Sequence, residues 1–376
     1  MRGVGAESFT GAWPVLRTTA DGSGAQFEHW RNGVRHKVIV AVGEFVETRC
    51  AVDLAGAGVD IAGDVLTQFI SGGKCLRSTF MYLGWRCGAG PDESALRACA
   101  SLELLHAFAL LQDDVMDASP FRRGRPSAHA QFECWHRDHE MPGSARRFGE
   151  SAAILLGDLC LVWAEQMLRS SGVRAAALDR VWPRYDAMRT ELAVGQFSDL
   201  VNVTRQMPTL EQALDVAARK SGNYTVRRPL EIGAAMAGCD ERSLWLLGRY
   251  GTAIGEAFQL RDDLLDIFGT AEVTGKPPGG DMRVFKATGV VVAAHQLADV
   301  TTRRQLTELI NLNQLDDADV ERWRTMIVAT GAVDWIEDLI ADRAAAALEL
   351  VYRLRIDESV QAALASMATA CTVRAA

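Results

Sequence analysis

Two groups of aspartates have a spacing that suits them for chemistry. Their members are Asp113, Asp114 and Asp117 in LLQDDVMD, and Asp262, Asp263 and Asp266 in FQLRDDLLD. On a helix, aspartates four residues apart point to the same side, so each group presents a cluster of carboxylates. Clustered carboxylates repel one another unless a cation joins them, and magnesium accepts a few carboxylates together with water and phosphate oxygens. Each group is therefore suited to hold a diphosphate through magnesium.

One such group alone is more often a solvated acidic helix end. The second group, however, lies within an otherwise apolar run, where unpaired charge beside a core costs free energy. Two groups about 150 residues apart favour two facing helices in one bundle. Several metal ions held between them on one diphosphate would neutralise the charge that develops as the diphosphate leaves.

Basic residues occur beside the acidic groups, where a diphosphate site needs cationic donors. They are Lys74 and Arg77 around the break in SGGKCLRS, Arg122 and Arg123 after the first group, Lys220 in KSGNYTVRRP, and Lys276 in GKPPGGD. Each of them alone could be an ordinary surface cation. Only their joint placement beside the aspartates indicates a shared site.

The elements that must position these residues are predicted to be helices. Apolar residues recur at helical spacing in one segment after another, and no region shows several short alternating runs separated by turn signals. We therefore predict an all-α fold. Short breaks fall at Ser71-Gly72-Gly73, Gly88 to Pro91, Pro142-Gly143, Ser170 to Gly172, Pro208, Gly238, and Gly275 to Gly280. None is long enough for an interdomain linker, so residues 26–376 are predicted to form one domain behind a disordered tail of residues 1–25.

Composition excludes some classes of function. The net charge of -8, the pI near 5.5 and the scattered basic residues argue against nucleic acid as a partner. No signal-peptide core and no uncharged apolar stretch of about 18 residues is present, which predicts a cytoplasmic protein without a stable membrane anchor. The eight cysteines lack CxxC pairing, so we expect them to be reduced. Cys134, His136 and His139 lack a second ligand pair, which disfavours zinc.

Six blocks of the sequence together resemble the trans-isoprenyl diphosphate synthases of the polyprenyl synthetase family. They are GGKCLR, ELLHAFALLQDDVMD with FRRGRPS, ILLGDL, KSGNY, FQLRDDLLD and GKPPGGDMRVFKAT, in the family's order, and the resemblance extends from about residue 30 to 355. It implies a single-domain helical bundle of the isoprenoid synthase type, with a central active-site cavity, that assembles as a homodimer. It also implies a magnesium-dependent enzyme that condenses isopentenyl diphosphate with an allylic diphosphate.

The resemblance implies roles for individual residues as well. The magnesium ligands would be Asp113, Asp114, Asp117, Asp262, Asp263 and Asp266. The residues that would contact the allylic diphosphate are Arg122, Lys220, Gln259 and Lys276. Of these, Lys220 and Lys276 would act with the aspartates in catalysis. The residues that would contact isopentenyl diphosphate are Lys74, Arg77, His106 and Arg123. Without the resemblance, His106 would be interpreted as an ordinary core histidine.

The chain departs from the family's pattern at three places. Cys75 stands where Arg is common, Ser78 replaces a Pro, and Ser221 follows Lys220 where Thr is usual. None of these positions is expected to contact phosphate directly. The implied reaction is ionisation of the allylic diphosphate, attack by the double bond of isopentenyl diphosphate, and loss of a proton. It needs no side-chain nucleophile, and the departing diphosphate can accept the proton, so we assign no general base.

Three residues before the first acidic group bear on product length. Leu105, Phe108 and Ala109 precede Asp113 by eight, five and four residues, on the side of the helix along which a growing chain would pass. Within the family, an aromatic residue five places before the group resembles geranylgeranyl diphosphate synthases, whereas bulk at both four and five places resembles farnesyl synthases. We therefore predict a twenty-carbon product, with a farnesyl or a longer polyprenyl diphosphate as alternatives. Phe108 could also be core packing.

Two other functions are compatible with parts of the sequence. A class I terpene cyclase shares the fold and the first acidic group, but it carries an (N/D)xx(S/T)xxxE motif later in the chain. The nearest approach, Asp240 with Ser243, has Leu247 where Glu belongs. A non-catalytic partner subunit typically loses one acidic group, and both groups are present here. We consider both alternatives disfavoured.

Overall fold

The computed structural model describes residues 23–202, 207–269, 279–283, 285–312 and 315–373, and most of them are helical. The helices are α1 (Ser23–Arg49), α2 (Asp60–Ile70), α3 (Leu76–Arg86), α4 (Glu93–Met116), α5 (Ala128–Asp138), α6 (Ala145–Arg169), α7 (Ala175–Asn202), α8 (Leu210–Ala217), α9 (Arg228–Ala237), α10 (Glu241–Phe268), α11 (Gly280–Arg283), α12 (Gly289–Leu297), α13 (Val300–Ile310), α14 (Asp317–Ala329), α15 (Ala332–Tyr352) and α16 (Glu358–Thr372). Two π-helical segments are π1 (Cys50–Leu54) and π2 (Ala218–Arg227). The all-α prediction is confirmed.

Short polar side chains begin the helices that carry the acidic groups. The carboxylate of Asp92 accepts a hydrogen bond from Ala95 N at 2.7 Å at the start of α4. At the start of α10, Asp240 accepts one from Ser243 N at 2.7 Å. Each cap satisfies a backbone donor that the first turn leaves unpaired. The residues nearest to a cyclase motif, Asp240 and Ser243, therefore have a structural use at a helix end.

A two-stranded hairpin follows α4, and the sequence did not predict it. Strand β1 (Phe121–Arg122) pairs antiparallel with β2 (Arg125–Pro126). The turn between them contains Arg123 and Gly124, both with positive φ. Strands of two residues are too short to show alternation, which is why the periodicity of the sequence gave no sign of them. Arg122 and Arg123 thus lie on a hairpin and not on a continued helix.

The helices pack around α4 and α10. Helix α4 packs against α1, α3 and α6, whereas α10 packs against π2, α9, α15 and α16. The larger apolar core extends from α1 to α10 and includes α16. A second group, here called the Trp323 cluster, joins the end of α10 to α11 through α15 and includes Leu264, Met282, Val320, Trp323 and Ile336. Because α10 contributes to both groups, they form one continuous bundle.

The N-terminal boundary lies slightly earlier than expected. Helix α1 begins at Ser23, within the segment 1–25 that we predicted to be a disordered tail. Residues 1–22 of that segment lie outside the described residues. Phe27 and Trp30 of α1 are buried in the larger core, so the globular part of the chain includes the whole of this helix.

Two helices, α4 and α6, are long and apolar enough to span a bilayer by length and composition alone, when up to two charged residues are allowed. Core packing accounts for α4, because 61% of its apolar window is buried within the bundle. Only 44% of the corresponding window of α6 is buried. The apolar face that α6 exposes therefore needs a separate explanation.

Candidate active site

The first acidic group lies at the C-terminal end of α4. Asp113 and Asp114 belong to the last turn, and Asp117 caps the helix with its backbone N–H donating to Asp113 O at 2.8 Å. The chain then turns into the hairpin, which brings Arg122 back onto the group. Its Nε lies 2.9 Å from Asp114 Oδ1, and its Nη2 lies 3.6 Å from Asp113 Oδ2. Since Asp114 is almost fully buried, this guanidinium compensates a carboxylate that water does not reach.

Two lysines complete the charge balance of this group. Lys220 Nζ lies 3.2 Å from Asp113 Oδ1 and 2.6 Å from Asp199 Oδ2. Lys286 Nζ lies 2.8 Å from Asp117 Oδ2. Although burial raises the pKa of Asp113, the ammonium groups of Lys220 and Lys286 outweigh burial and hold that pKa below its ordinary value. The carboxylate is therefore ionised and able to bind a cation at neutral pH.

A π-helix places Lys220 in the site. Its backbone passes so close to α7 that a Cβ added at Gly195 would lie 2.6 Å from Lys220 N. On the other side, Gly222 lies against Gly255 of α10, and a Cβ on either residue would approach the other's backbone to within 3.0 Å. These glycines let π2 fit between two helices that hold the cavity walls. Insertions of π geometry in helical proteins are frequent at functional sites.

The second acidic group lies inside α10. Asp263 is buried; its Oδ1 accepts from Gln259 Nε2 at 2.8 Å, and its Oδ2 accepts from Gly289 N, the first residue of α12, at 3.1 Å. Asp262 and Asp266 are half-buried. The N-terminus of α12 thus stabilises a carboxylate both by a direct hydrogen bond and by its dipole.

One small cavity lies between the second acidic group and the two lysines that contact the first group. Its volume is about 100 Å³, and its wall includes Asp199, Lys220, Gln259, Asp263 and Lys286. Lys220 and Lys286 contact the first group, whereas Asp263 belongs to the second and accepts a hydrogen bond from Gln259. The structure therefore links the two acidic groups through this cavity, because its lysines contact the first group and Asp263 of the second group lines its wall.

A second cluster of basic side chains lies beside α3. The guanidinium of Arg77 stacks 4.2 Å above the ring of Tyr224, and the His106 ring lies 6.2 Å from that of Tyr224. Among the described residues, Arg77 Nε, His106 Nδ1 and the Tyr224 hydroxyl are buried without a hydrogen-bond partner. Burial, helped by neighbouring guanidinium groups such as that of Arg77, holds the pKa of His106 well below its ordinary value. The imidazole is therefore neutral at pH 7.

Arg123 approaches the glycine break before α3. A Cβ added at Gly73 would lie 3.2 Å from an Arg123 guanidinium nitrogen, and Arg123 Nη1 lies 3.4 Å from Phe69 O. A cavity of about 260 Å³ opens here, lined by both Gly72 and Arg123. Lys74 is exposed at the same break. The predicted isopentenyl diphosphate residues thus come from four successive parts of the chain, namely the loop before α3, α3 itself, α4 and the hairpin.

The other predicted site residues differ in whether the structure describes them and in how deeply they are buried. Lys276 lies outside the described residues. Phe108 and Ala109 are half-buried, but Leu105 has no exposed surface, so contact between Leu105 and a product chain would require its neighbours to move. The roles of these three residues in product length stay predictions.

Three residues of the site were missed in the sequence, namely Asp199, Tyr224 and Lys286. A compositional signal could have found Lys286. The chain has only five lysines among its 40 basic residues, and four of the five, Lys286 included, lie within the six blocks. No comparable signal marks Asp199, whose importance follows from its contact with Lys220.

Comparisons with known proteins agree with this geometry. The sequence model of the polyprenyl synthetase family matches residues 59–327. A geranylgeranyl diphosphate synthase of Mycobacterium tuberculosis is 32% identical over 339 residues, which cover 89% of this chain and 85% of the relative. A nonaprenyl diphosphate synthase of the same organism is 30% identical over 303 residues, which cover 80% of this chain and 83% of the relative. The crystal structure of a geranylgeranyl pyrophosphate synthase from Corynebacterium glutamicum, complexed with isoprenyl diphosphate and magnesium, is 34% identical with a TM-score of 0.86 and covers 95% of this chain and 100% of its own.

Proposed function

The chain belongs to the polyprenyl synthetase family and is a trans-prenyltransferase, and we propose that its main product is geranylgeranyl diphosphate. The enzyme joins isopentenyl diphosphate to an allylic diphosphate. The observation that supports this function best is the shared cavity, where side chains of α10 face lysines that contact the aspartates of α4.

The six aspartates fit magnesium by their chemistry, because carboxylate oxygens are the donors that this hard cation prefers. In the parts of the chain that the structure describes, no three acidic, histidine or cysteine side chains meet at one point. The aspartates of the first group turn instead toward Arg122, Lys220 and Lys286. We propose that all six carboxylates bind magnesium. When bound, the metal would screen the diphosphate's negative charge and make it a better leaving group.

The protein's own residues would bind the two diphosphates differently. We assign the allylic diphosphate to Arg122, Lys220 and Gln259, to Lys276 as the resemblance implies, and to Lys286 on the basis of its contact with Asp117. The diphosphate of isopentenyl diphosphate would lie against Lys74, Arg77, His106 and Arg123. Arg77 Nε and His106 Nδ1 are buried polar atoms without a partner among the described residues, and an anion at this place would satisfy them. Enclosure by helices excludes water from the reactive cation.

The proposed length of twenty carbons depends on two residues of α4, Phe108 and Ala109. Phe108 and Ala109 both pack against the larger core, and the bulky ring at the first position beside the small side chain at the second supports a floor near twenty carbons. Overall sequence identity does not distinguish between product lengths, because a relative named for a twenty-carbon product and one named for a nonaprenyl product match this chain to nearly the same degree.

The test is an analysis of the products that the purified protein makes from labelled isopentenyl diphosphate, magnesium, and each of the five-, ten- and fifteen-carbon allylic diphosphates. We expect a linear twenty-carbon diphosphate, and a longer one from Phe108→Ala. A linear product of another length would retain the family activity and refute the assigned length. An unchanged product from Phe108→Ala would place the floor elsewhere. A cyclic hydrocarbon would favour a cyclase, and activity only after addition of a partner would favour a subunit role.

We also propose that the enzyme is a homodimer that uses α6. Leu155 and Val162, seven residues apart on one face of this helix, are 64% and 62% exposed. In a dimer with twofold symmetry, this face of one subunit would pack against the same face of the other. That contact would explain why the apolar side chains of α6 are exposed in a single chain. Leu155→Glu with Val162→Glu should convert a dimer to a monomer in light scattering coupled to gel filtration. Val328→Glu on α14, where the side chain is 57% exposed, is the control, and a wild-type monomer would refute the proposal.

A further inference from the structure

Phe285 has a backbone conformation that is rare for its residue type. Its φ is +56°, in the left-handed region, where Cβ comes too close to the following carbonyl oxygen. Residues other than glycine persist there only when their surroundings enforce the conformation, and such positions cluster at functional sites. Phe285 is the residue immediately before Lys286 in the chain.

Two contacts hold Phe285 in place. Its backbone N–H donates to Met282 O at 2.9 Å, which closes a tight turn. Its ring lies 6.5 Å from the ring of Trp323 on α14. Since Trp323 is 1% exposed and belongs to the Trp323 cluster, the Phe285 ring is anchored to a part of the core that does not include the first acidic group.

The short segment that starts at Phe285 reaches both acidic groups. Its second residue, Lys286, lies 2.8 Å from Asp117. Its last residue, Gly289, donates its backbone N–H to Asp263 at 3.1 Å. The direction in which this segment leaves the turn therefore decides where both contacts are made.

We propose that Phe285 is a positioning residue for the allylic diphosphate site. Its ring, held against Trp323, enforces the left-handed turn, and this turn directs Lys286 toward Asp117. The same turn sets the start of α12 against Asp263. The effect on substrate binding rests on the proposed function of Lys286, whereas the effect on the contact between Lys286 and Asp117 does not.

The first test compares Phe285→Gly with Phe285→Leu. Glycine removes the ring and also the strain, because it tolerates positive φ, so we expect the melting temperature to change by no more than about 3 °C. The KM for the allylic diphosphate should nevertheless rise about tenfold, as expected for the loss of one charge-assisted contact, while the KM for isopentenyl diphosphate stays the same. Leucine keeps apolar bulk against Trp323 and should restore most of the affinity. A wild-type KM in Phe285→Gly would overturn the proposal.

Glu140 offers a matched control. It is exposed, has a φ of +48°, and donates its backbone N–H to Arg137 O at 3.0 Å, so it forms the same kind of turn just after α5. Glu140→Gly should raise the melting temperature slightly, because strain is removed without loss of a core contact, and it should leave both KM values unchanged. A change of KM in this control would show that relief of strain alone alters the kinetics, which would overturn the role of the Phe285 ring.

A measurement of stability separates failure of this inference from failure of the proposed function. Lys286→Met leaves Asp117 without this cation and should lower the melting temperature of the wild type. In the Phe285→Gly background the same substitution should have a clearly smaller effect, because the contact is already weakened. Equal effects in the two backgrounds would overturn the positioning role even if the protein had a different activity.

Discussion

At the end of α4, cationic side chains lie against carboxylates, whereas beside α3 some buried polar atoms have no hydrogen-bond partner among the described residues. Arg122 contacts Asp114, and Lys286 contacts Asp117. Around Arg77, in contrast, the Nε of that residue and the Nδ1 of His106 have no hydrogen-bond partner among the described residues. One part of the site is thus internally neutralised, and the other carries positive charge and unused donors.

The difference indicates two ways of binding a diphosphate. In the neutralised part, the ion pairs limit the cost of burying carboxylates, and a diphosphate with its metal ions exchanges partners with them. In the basic part, donors that are already desolvated gain hydrogen bonds when an anion arrives, so their burial is offset on binding. We therefore expect substitutions in the first part to affect turnover most, and those in the second to affect mainly the KM for isopentenyl diphosphate.

The largest effect is expected from the removal of a carboxylate in the neutralised part. Asp113→Asn removes an anion that Lys220 contacts, and we expect kcat to fall about a thousandfold, as for loss of a principal electrostatic element. Steady-state kinetics together with circular dichroism would measure turnover and fold. Asp215→Asn is the control, because Asp215 forms an exposed ion pair with Arg219. Near-normal turnover in Asp113→Asn would refute the metal assignment.

A smaller effect is expected from Lys286→Met. The ammonium group contacts Asp117 and would bind the allylic diphosphate, so we expect at least about a tenfold rise in the KM for that substrate. Lys37→Met is the matched control, since Lys37 is the lysine outside the six blocks. If the KM for isopentenyl diphosphate rose instead, the division between the two parts would be wrong.

In the basic part, Arg77→Lys should act on the other substrate. Lysine keeps the charge but loses the planar fork that stacks on Tyr224. We expect the KM for isopentenyl diphosphate to rise about fivefold to tenfold and the KM for the allylic diphosphate to stay the same. Arg86→Lys, on the same helix but bonded to Ala89 O, is the control. Equal rises for both substrates would contradict separate binding places.

The smallest expected effect concerns His106 and pH. Its pKa is lowered in the folded protein, so below about pH 6.5 the unfolded chain binds a proton that the folded chain does not. The free energy of unfolding should then decrease on acidification by up to about 1.4 kcal/mol per pH unit from this residue. Urea unfolding at pH 7 and pH 5.5 should show a smaller decrease for His106→Asn than for the wild type. His36→Asn, at an exposed position of α1, should behave as the wild type does; an identical decrease in His106→Asn would contradict the neutral histidine.

The sequence by itself determined the helical fold and the two acidic groups. Helical periodicity and the four-residue spacing of aspartates are local properties, because residues one turn apart are neighbours on any helix. The glycine breaks before α3 and after α9 followed in the same way from local backbone preference. The resemblance of the six blocks added the division of basic residues between two substrates.

Only the tertiary structure decided which charges meet. Lys286 and Asp117 are separated by 169 positions, and no periodicity in the sequence relates them. The same holds for the contact between Lys220 and Asp199 and for the tilted contact between the rings of Phe285 and Trp323. These contacts depend on how α4, π2, α10 and α14 pack, and packing is a property of the whole set of side chains. The sequence therefore identifies the residue types that carry the chemistry of the site, and the packing of the helices determines which of these residues contact one another.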